Sequence, residues 1–194
     1  MDEIELQLQE SVDVKKALFS LTSEIRNIVD IITNAFKDDR HLYLIGNGGS
    51  AADAQHIAGE FMGRFKLNRR PLPAVALTTD SSVMTAIAND FGYDNCFVRQ
   101  IEALAKPGDV VLAFSTSGNS NGVLYAVQAA KNHGAITVGF TGKDGGLLKD
   151  HVDICLKAPS ANTPRIQECH ITVGHILCFL VEKELFGELL NETE

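Results

Sequence analysis

His56 and Glu60 stand four residues apart, so in a helix they share one face, a turn from each other. An imidazole and a carboxylate so placed can hold a metal ion together or handle the protons of one substrate. The same spacing also describes an ordinary exposed helix pair, and what separates the two readings is the loop upstream. Gly46-Asn47-Gly48-Gly49-Ser50 would launch that helix, and its glycines let the backbone approach a ligand that a Cβ would push away. A second loop, Ser115-Thr116-Ser117-Gly118-Asn119-Ser120, offers four hydroxyls and leads into a helix beginning near Asn121. Hydroxyl donors and the free amides at the positive end of a helix dipole together make a site for a phosphate. A third polar group, Arg165-Ile166-Gln167-Glu168-Cys169-His170 followed by His175, interrupts an otherwise apolar helix containing Ile171, Val173, Ile176, Leu177, Phe179 and Leu180. Polar groups there need partners if buried. Two histidines, a glutamate and an amide oxygen could complete a zinc shell, and Cys169, His175 and Cys178 form another set of ligand types.

Two nucleotide motifs can be tested directly. Gly46, Gly48 and Ala51 satisfy G-x-G-x-x-A, but the dinucleotide fingerprint expects an acidic residue about twenty positions on, at the end of the second strand. Here Leu77 is followed by Thr78 and Thr79 before Asp80. No G-x-x-x-x-G-K-[ST] occurs, which excludes a P-loop nucleotidase.

These side chains need a scaffold, and the chain between them alternates. Short apolar runs at Leu42–Ile45, Ala74–Leu77, Val110–Phe114, Ile136–Phe140 and Val152–Leu156 read as strands buried on both faces. Between them lie helical stretches at Ala51–Phe65, Ser82–Asn89 with Phe97–Leu104, Asn121–His133 and, briefly, Gly146–Lys149. Alternation of this kind predicts an α/β fold with a doubly wound, five-stranded parallel sheet flanked by helices on both faces. In such a sheet ligands bind beyond the carboxyl ends of the strands, where both loops would lie. Leu21, Ile25, Ile28, Ile32 and Phe36 step as an amphipathic helix over Leu18–Phe36. Ile4–Ala17 is helix-prone but less cleanly patterned, so two N-terminal helices precede the sheet. The last helix begins near Thr163-Pro164, Thr163 as cap and Pro164 at the first helical position, and runs to about Leu189, leaving a frayed tail. The expected organisation is one domain over 1–194: an N-terminal helical segment at 1–38, the sheet core at 39–160 and the C-terminal helix at 161–189.

Composition narrows the setting. The 194 residues carry a formal net charge of −8, which argues against nonspecific nucleic-acid binding. A small anion remains compatible, because backbone amides can hold a phosphate without a basic surface. No apolar run is long enough to span a bilayer. The acidic start, Met1-Asp2-Glu3-Ile4-Glu5, lacks the basic residues and apolar core of an export signal, which places the protein in the cytoplasm. Cys96, Cys155, Cys169 and Cys178 include no C-x-x-C and read as reduced, mostly buried thiols.

Gly46-Asn47-Gly48-Gly49-Ser50, His56 with Glu60, Ala88-Asn89-Asp90-Phe91-Gly92, the Ser115–Ser120 loop, Thr141-Gly142-Lys143-Asp144-Gly145-Gly146 and Arg165-Ile166-Gln167-Glu168 with His175 together resemble the bacterial phosphoheptose isomerases of the sugar-isomerase (SIS) fold. The match runs in order over nearly the whole chain. The resemblance implies conversion of sedoheptulose 7-phosphate to D-glycero-D-manno-heptose 7-phosphate, toward the heptose of lipopolysaccharide or another cell-envelope glycan. It also implies a flavodoxin-like SIS sheet, one zinc ion per subunit, and a homotetramer with active sites between subunits. The family's zinc ligands fall on His56, Glu60, Gln167 and His175, its base on Glu60 and its acid on His175. Its substrate contacts fall on Asn47, Gly48, Gly49, Glu60, Asn89, Asp90, Ser115, Thr116, Ser117, Ser120 and Gln167. The chain departs from some relatives at Asn162-Thr163-Pro164, where they carry an acidic residue.

Helical geometry questions one member of that set. Gln167 and His175 are eight residues apart, about 12 Å along a straight helix and about 80° around it. Phase alone would choose Glu168 as the mate of His175. Either Gln167 and His175 both reach toward a metal midway, or they come from different subunits. The rival family is non-catalytic: the DnaA initiator-associating proteins share the fold and text such as Thr85-Ala86-Ile87-Ala88-Asn89-Asp90. They lack the acid at the position of Glu60 and the imidazole at that of His175, and carry a basic residue at that of Ser117, whereas all three are of the catalytic type here. Other SIS-fold activities, an arabinose-phosphate isomerase or a sugar-phosphate sensor, are disfavoured by the His56, Glu60 and His175 set.

Overall fold

The computed structural model describes residues 2–188; the expected tail Leu189–Glu194 lies outside them. The strands are β1 (Leu42–Gly46), β2 (Ala74–Ala76), β3 (Val110–Phe114), β4 (Ile136–Thr141) and β5 (Ile154–Lys157). The helices are α1 (Glu3–Ala17), α2 (Thr22–Lys37), α3 (Gly49–Met62), α4 (Ser81–Phe91), α5 (Cys96–Leu104), α6 (Asn121–Asn132) and α7 (Thr163–Phe186). All five strands pair in parallel, in the order β2-β1-β3-β4-β5. That is the flavodoxin-like order, with its topological switch between β1 and β3.

Successive strand residues point to opposite faces, and the core divides accordingly. Leu42, Leu44, Leu112, Val138 and Phe140 pack with α2, α3 and α7. Tyr43, Ile45, Val111 and Ala113 pack with α5 and α6. The expected helix over Leu18–Phe36 is realised as a short 3₁₀ turn, Leu18–Leu21, feeding α2. The reason is local, since Ser20 and Thr22 hydroxyls donate back to the carbonyls of Ala17 and Phe19. The fifth strand starts at Ile154, two residues late, because Asp153 caps the neighbouring strand instead, accepting from the amide and hydroxyl of Thr137. The brief helix expected at Gly146–Lys149 is a 3₁₀ turn, Leu148–Asp150.

Asn162, not Thr163, is the N-cap of α7, and its amide side chain donates to Glu10 on α1 rather than capping. Helix α1 is closed by a capping box between Asp2 and Glu5 but buries none of its residues. Helix α3 ends at Met62, three residues short of expectation, where its last carbonyls are taken by the Arg69 guanidinium.

Candidate functional site

Helices α3 and α7 lie side by side on the same face of the sheet and run in the same direction. Gln167 lies against Gly49, Gly174 against Ile57 and His175 against His56. A glycine in mid-helix costs about 1 kcal/mol relative to alanine, and Gly174 has a packing reason for it. A Cβ there would stand 2.6 Å from Ile57 Cδ1, so the close approach of the two helices requires its absence. At that crossing His56 Nε2 and His175 Nε2 are 2.9 Å apart, and His56 Nε2 lies 3.3 Å from Glu60 Oε1. Ligand atoms of His56, Glu60 and His175 all fall within 4.8 Å of one another, half-buried to exposed. Two imidazole nitrogens and a carboxylate converging on one point are a donor set suited to zinc, which takes N and O ligands in a compact shell. Among the described residues no other group of histidines, cysteines and carboxylates converges in this way.

The helix-phase alternative is not realised. Glu168 turns away toward α1, where it accepts from Ser11 Oγ at 2.6 Å and pairs with Arg165 at 2.9 Å. The Gln167 amide packs over Gly49, at the mouth of the first loop. That is seven residues, about 10 Å along α3, from His56. The alternative set of Cys169, His175 and Cys178 does not form either: both thiols are buried, and burial pushes that of Cys169 up to about 11 and that of Cys178 higher still. Beside His56 on the same stripe of α3, Asp53 has one carboxylate oxygen buried without a partner, and burial raises it to about 6 against the opposing pull of His56.

The two loops meet at the switch point, where Gly46 and Phe114 are register partners. Asn47 joins them: its Nδ2 donates to Ser120 Oγ at 3.0 Å, and its Oδ1 accepts from Tyr93 at 2.9 Å. The Ser120 hydroxyl, which accepts that bond, does not cap α6, and Gly48 has no side chain to cap α3. Two helix N-termini without a side-chain cap therefore flank a cavity of about 160 Å³ lined by Asn47, Ser50, Ser115, Thr116, Ser117 and Ser120. Open helix amides beside hydroxyl donors can bind an anion. Behind the serine loop the 141–146 segment is tightly apposed, with Gly142 donating to Thr116 O and Leu148 to Gly118 O. Asn89 and Asp90 sit exposed at the end of α4, hydrogen-bonded to each other at 2.8 Å, four and three residues before Tyr93.

Periodicity had no means of finding Tyr93, Gly174, Arg69 or Glu182. Arg69 and Glu182 form a buried ion pair, 2.9 Å, between the segment after α3 and the far part of α7. An acid inside an apolar helix, as Glu182 is, was the available signal.

A family model described as SIS domain matches residues 9–142. The phosphoheptose isomerase of Roseiflexus sp. (strain RS-1) is 54% identical over 183 residues, covering 94% of this chain and 93% of its own. That of Clostridium acetobutylicum is 50% identical over 192 residues, covering 97% and 98%. The solved structure of a phosphoheptose isomerase from Neisseria gonorrhoeae superimposes with a TM-score of 0.88 at 38% identity, over 93% of this chain and 97% of that one.

Proposed function

This chain belongs to the phosphoheptose isomerase family of SIS-domain proteins and is an isomerase, and on that premise we propose that it interconverts sedoheptulose 7-phosphate and D-glycero-D-manno-heptose 7-phosphate. The observation that carries the reading is the convergence of His175 on the His56 and Glu60 pair, two turns of α3 away from an anion-binding switch point. A substrate whose phosphate and carbonyl sit at opposite ends of a long chain needs two subsites so separated.

The phosphate enters between the uncapped ends of α3 and α6. There Ser115, Thr116, Ser117 and Ser120, with the backbone of Gly48 and Gly49, supply hydrogen bonds and dipole. Asn47, Asn89, Asp90 and Gln167 hold the hydroxyls between. At the other end Glu60 takes the proton from the carbon beside the carbonyl, and the C–H electron pair becomes the double bond of an enediolate. His175 delivers a proton to the carbonyl oxygen and takes one back from the neighbouring hydroxyl as that oxygen becomes the new carbonyl, while Glu60 returns its proton to the former carbonyl carbon. Zinc, one ion per subunit held by His56, Glu60 and His175, would supply Lewis-acid stabilisation of developing oxyanion charge; Gln167, expected as a fourth ligand, stands about 10 Å along α3 from His56 and is assigned to the substrate hydroxyls instead.

The protein works as a single domain in a cytoplasmic homotetramer, supplying a cell-envelope heptose. Helix α1 supports the assembly: it buries none of its residues, leaves Ile4 71% and Leu8 63% exposed, and borders an apolar groove of about 440 Å³ with Phe19 and Ile176. Apolar area of this extent marks an interaction surface. No helix is long and apolar enough to cross a membrane among the described residues. The decisive experiment is turnover of sedoheptulose 7-phosphate in a coupled assay with zinc-loaded protein. Absence of turnover beside sound folding and a tetrameric mass would sink the substrate assignment.

A further inference from the structure

Helix α3 carries His56 and Glu60, and α7 carries His175. Beyond these side chains a buried ion pair joins the segment after α3 to α7: Arg69 and Glu182, with side chains 0% and 2% exposed. The Arg69 guanidinium donates to the carbonyls of Glu60 at 3.0 Å and Phe61 at 2.8 Å, closing the last turn of α3. One of its acceptors is thus the backbone of the proposed base itself. Its Nε donates to Glu182 Oε1 at 2.9 Å. Glu182 lies seven residues after His175, nearly two full turns, and therefore on the same face of α7. The rest of its carboxylate is filled by backbone amides, Phe65 at 3.1 Å, Lys66 at 2.8 Å and Leu67 at 3.0 Å. Those bonds place the Phe65 ring against the His175 imidazole, centroids 5.9 Å apart and 23° from parallel, within the range of an offset stack.

We propose that Arg69 and Glu182 are positioning residues that set the spacing of Glu60 and His56 against His175. The inference rests on the isomerase reading above for its catalytic consequence. Burying an ion pair is an expensive way to join two helices, since apolar residues of similar volume do as well or better for stability alone. The pair offers what an apolar contact lacks: directed bonds that tie the Glu60 backbone and the Phe65 ring to fixed points on α7. Burial alone would raise the Glu182 carboxyl, but the amides of Lys66, Leu67 and Phe65, followed by the Arg69 charge, hold it below its ordinary value. It is therefore ionised, and the clamp closed, at neutral pH.

The test uses the double variant Arg69→Met with Glu182→Leu, which replaces the pair by apolar volume. Its fold and thermal midpoint are followed by circular dichroism, its kcat and KM with sedoheptulose 7-phosphate, and its zinc affinity by competition with a chelator. The expected result is a folded protein with zinc affinity and kcat each reduced about 10- to 100-fold and KM unchanged, since the phosphate loops lie at the other end of α3. If the double variant does not fold, Glu182→Gln, which keeps shape and an acceptor, is measured by the same criteria at low temperature. Ile101→Val in α5 serves as the control for destabilisation far from these helices. A folded variant with zinc affinity and kcat within about twofold of wild type overturns the inference, as does an Ile101→Val protein that loses kcat in the same proportion to its thermal midpoint. Should the wild type show no turnover of this substrate, the functional reading fails, and zinc affinity alone decides the positioning role.

Discussion

Replacing Gly118 with alanine should damage the phosphate site twice over. Gly118 has φ +67° and sits in the serine loop with the 141–146 segment packed against it. A side chain in this left-handed region costs about 1–2 kcal/mol. The new Cβ would also meet the carbonyl group of Gly145, 2.6 Å from its carbon, where carbon atoms prefer about 3.5–4.0 Å. The loop must therefore yield by about 1 Å, an overpacking that costs about a further 1–3 kcal/mol. The two together predict a loss of about 2–5 kcal/mol in stability. Moving the donors of Ser115–Ser120 by that amount should lower kcat/KM about 100-fold. Most of the loss should appear in KM, because the phosphate is held in ground and transition states alike. The metal group on α3 and α7 does not touch this loop, so zinc content should stay at the wild-type level. Urea unfolding gives the stability, steady-state kinetics the split, and calorimetry with a sugar phosphate the affinity. A Gly118→Ala protein that is destabilised as expected yet binds the sugar phosphate with wild-type affinity would refute the assignment of this loop.

Glu60→Gln keeps shape and an oxygen ligand while removing the proton acceptor, so turnover should fall about 10²–10⁴-fold with substrate binding retained; near-normal turnover rejects Glu60 as base, and joint loss of turnover and metal makes it a ligand only. His170 is buried with Nδ1 unpartnered, and burial pushes it down to about 4 although its Nε2 meets Thr141 O. Its fold holds the neutral ring, so its contribution is whole above the unfolded value and is lost as pH falls from about 6.5 toward 4, about 2 kcal/mol between pH 7 and pH 5. His170→Phe should flatten that acid limb in urea titrations, and an unchanged limb would show that another group is responsible. Asp53 works in the opposite sense: a carboxyl raised to about 6 is ionised in the fold at a cost that grows as pH rises through that value. Allowing for its partial exposure, Asp53→Asn should stabilise the metal-free protein at pH 8 by about 1 kcal/mol, with the gain vanishing near pH 4; calorimetric scans showing no gain at pH 8 would contradict this.

Much of this molecule could be read from the chain alone, because much of it is decided by neighbours. Runs such as Val110–Phe114 are strands wherever both faces are covered, and the loops that follow β1 and β3 must open at one edge of a parallel sheet. His56 and Glu60 share a face because a helix turns every 3.6 residues. The limit of that reasoning is visible at His175. Within α7, phase pairs it with Glu168, yet Glu168 is drawn to Arg165 one turn before it and to Ser11, a partner set by how α1 lies across α7. The true neighbour of His175 is His56, 119 residues away, brought there because Gly174 lets α7 settle onto Ile57. The Tyr93 bond to Asn47 and the Arg69 pairing with Glu182 are of the same kind. Period and spacing carry information over a few residues, whereas these contacts depend on the distance and phase at which one packed helix meets another, and only the folded core sets those.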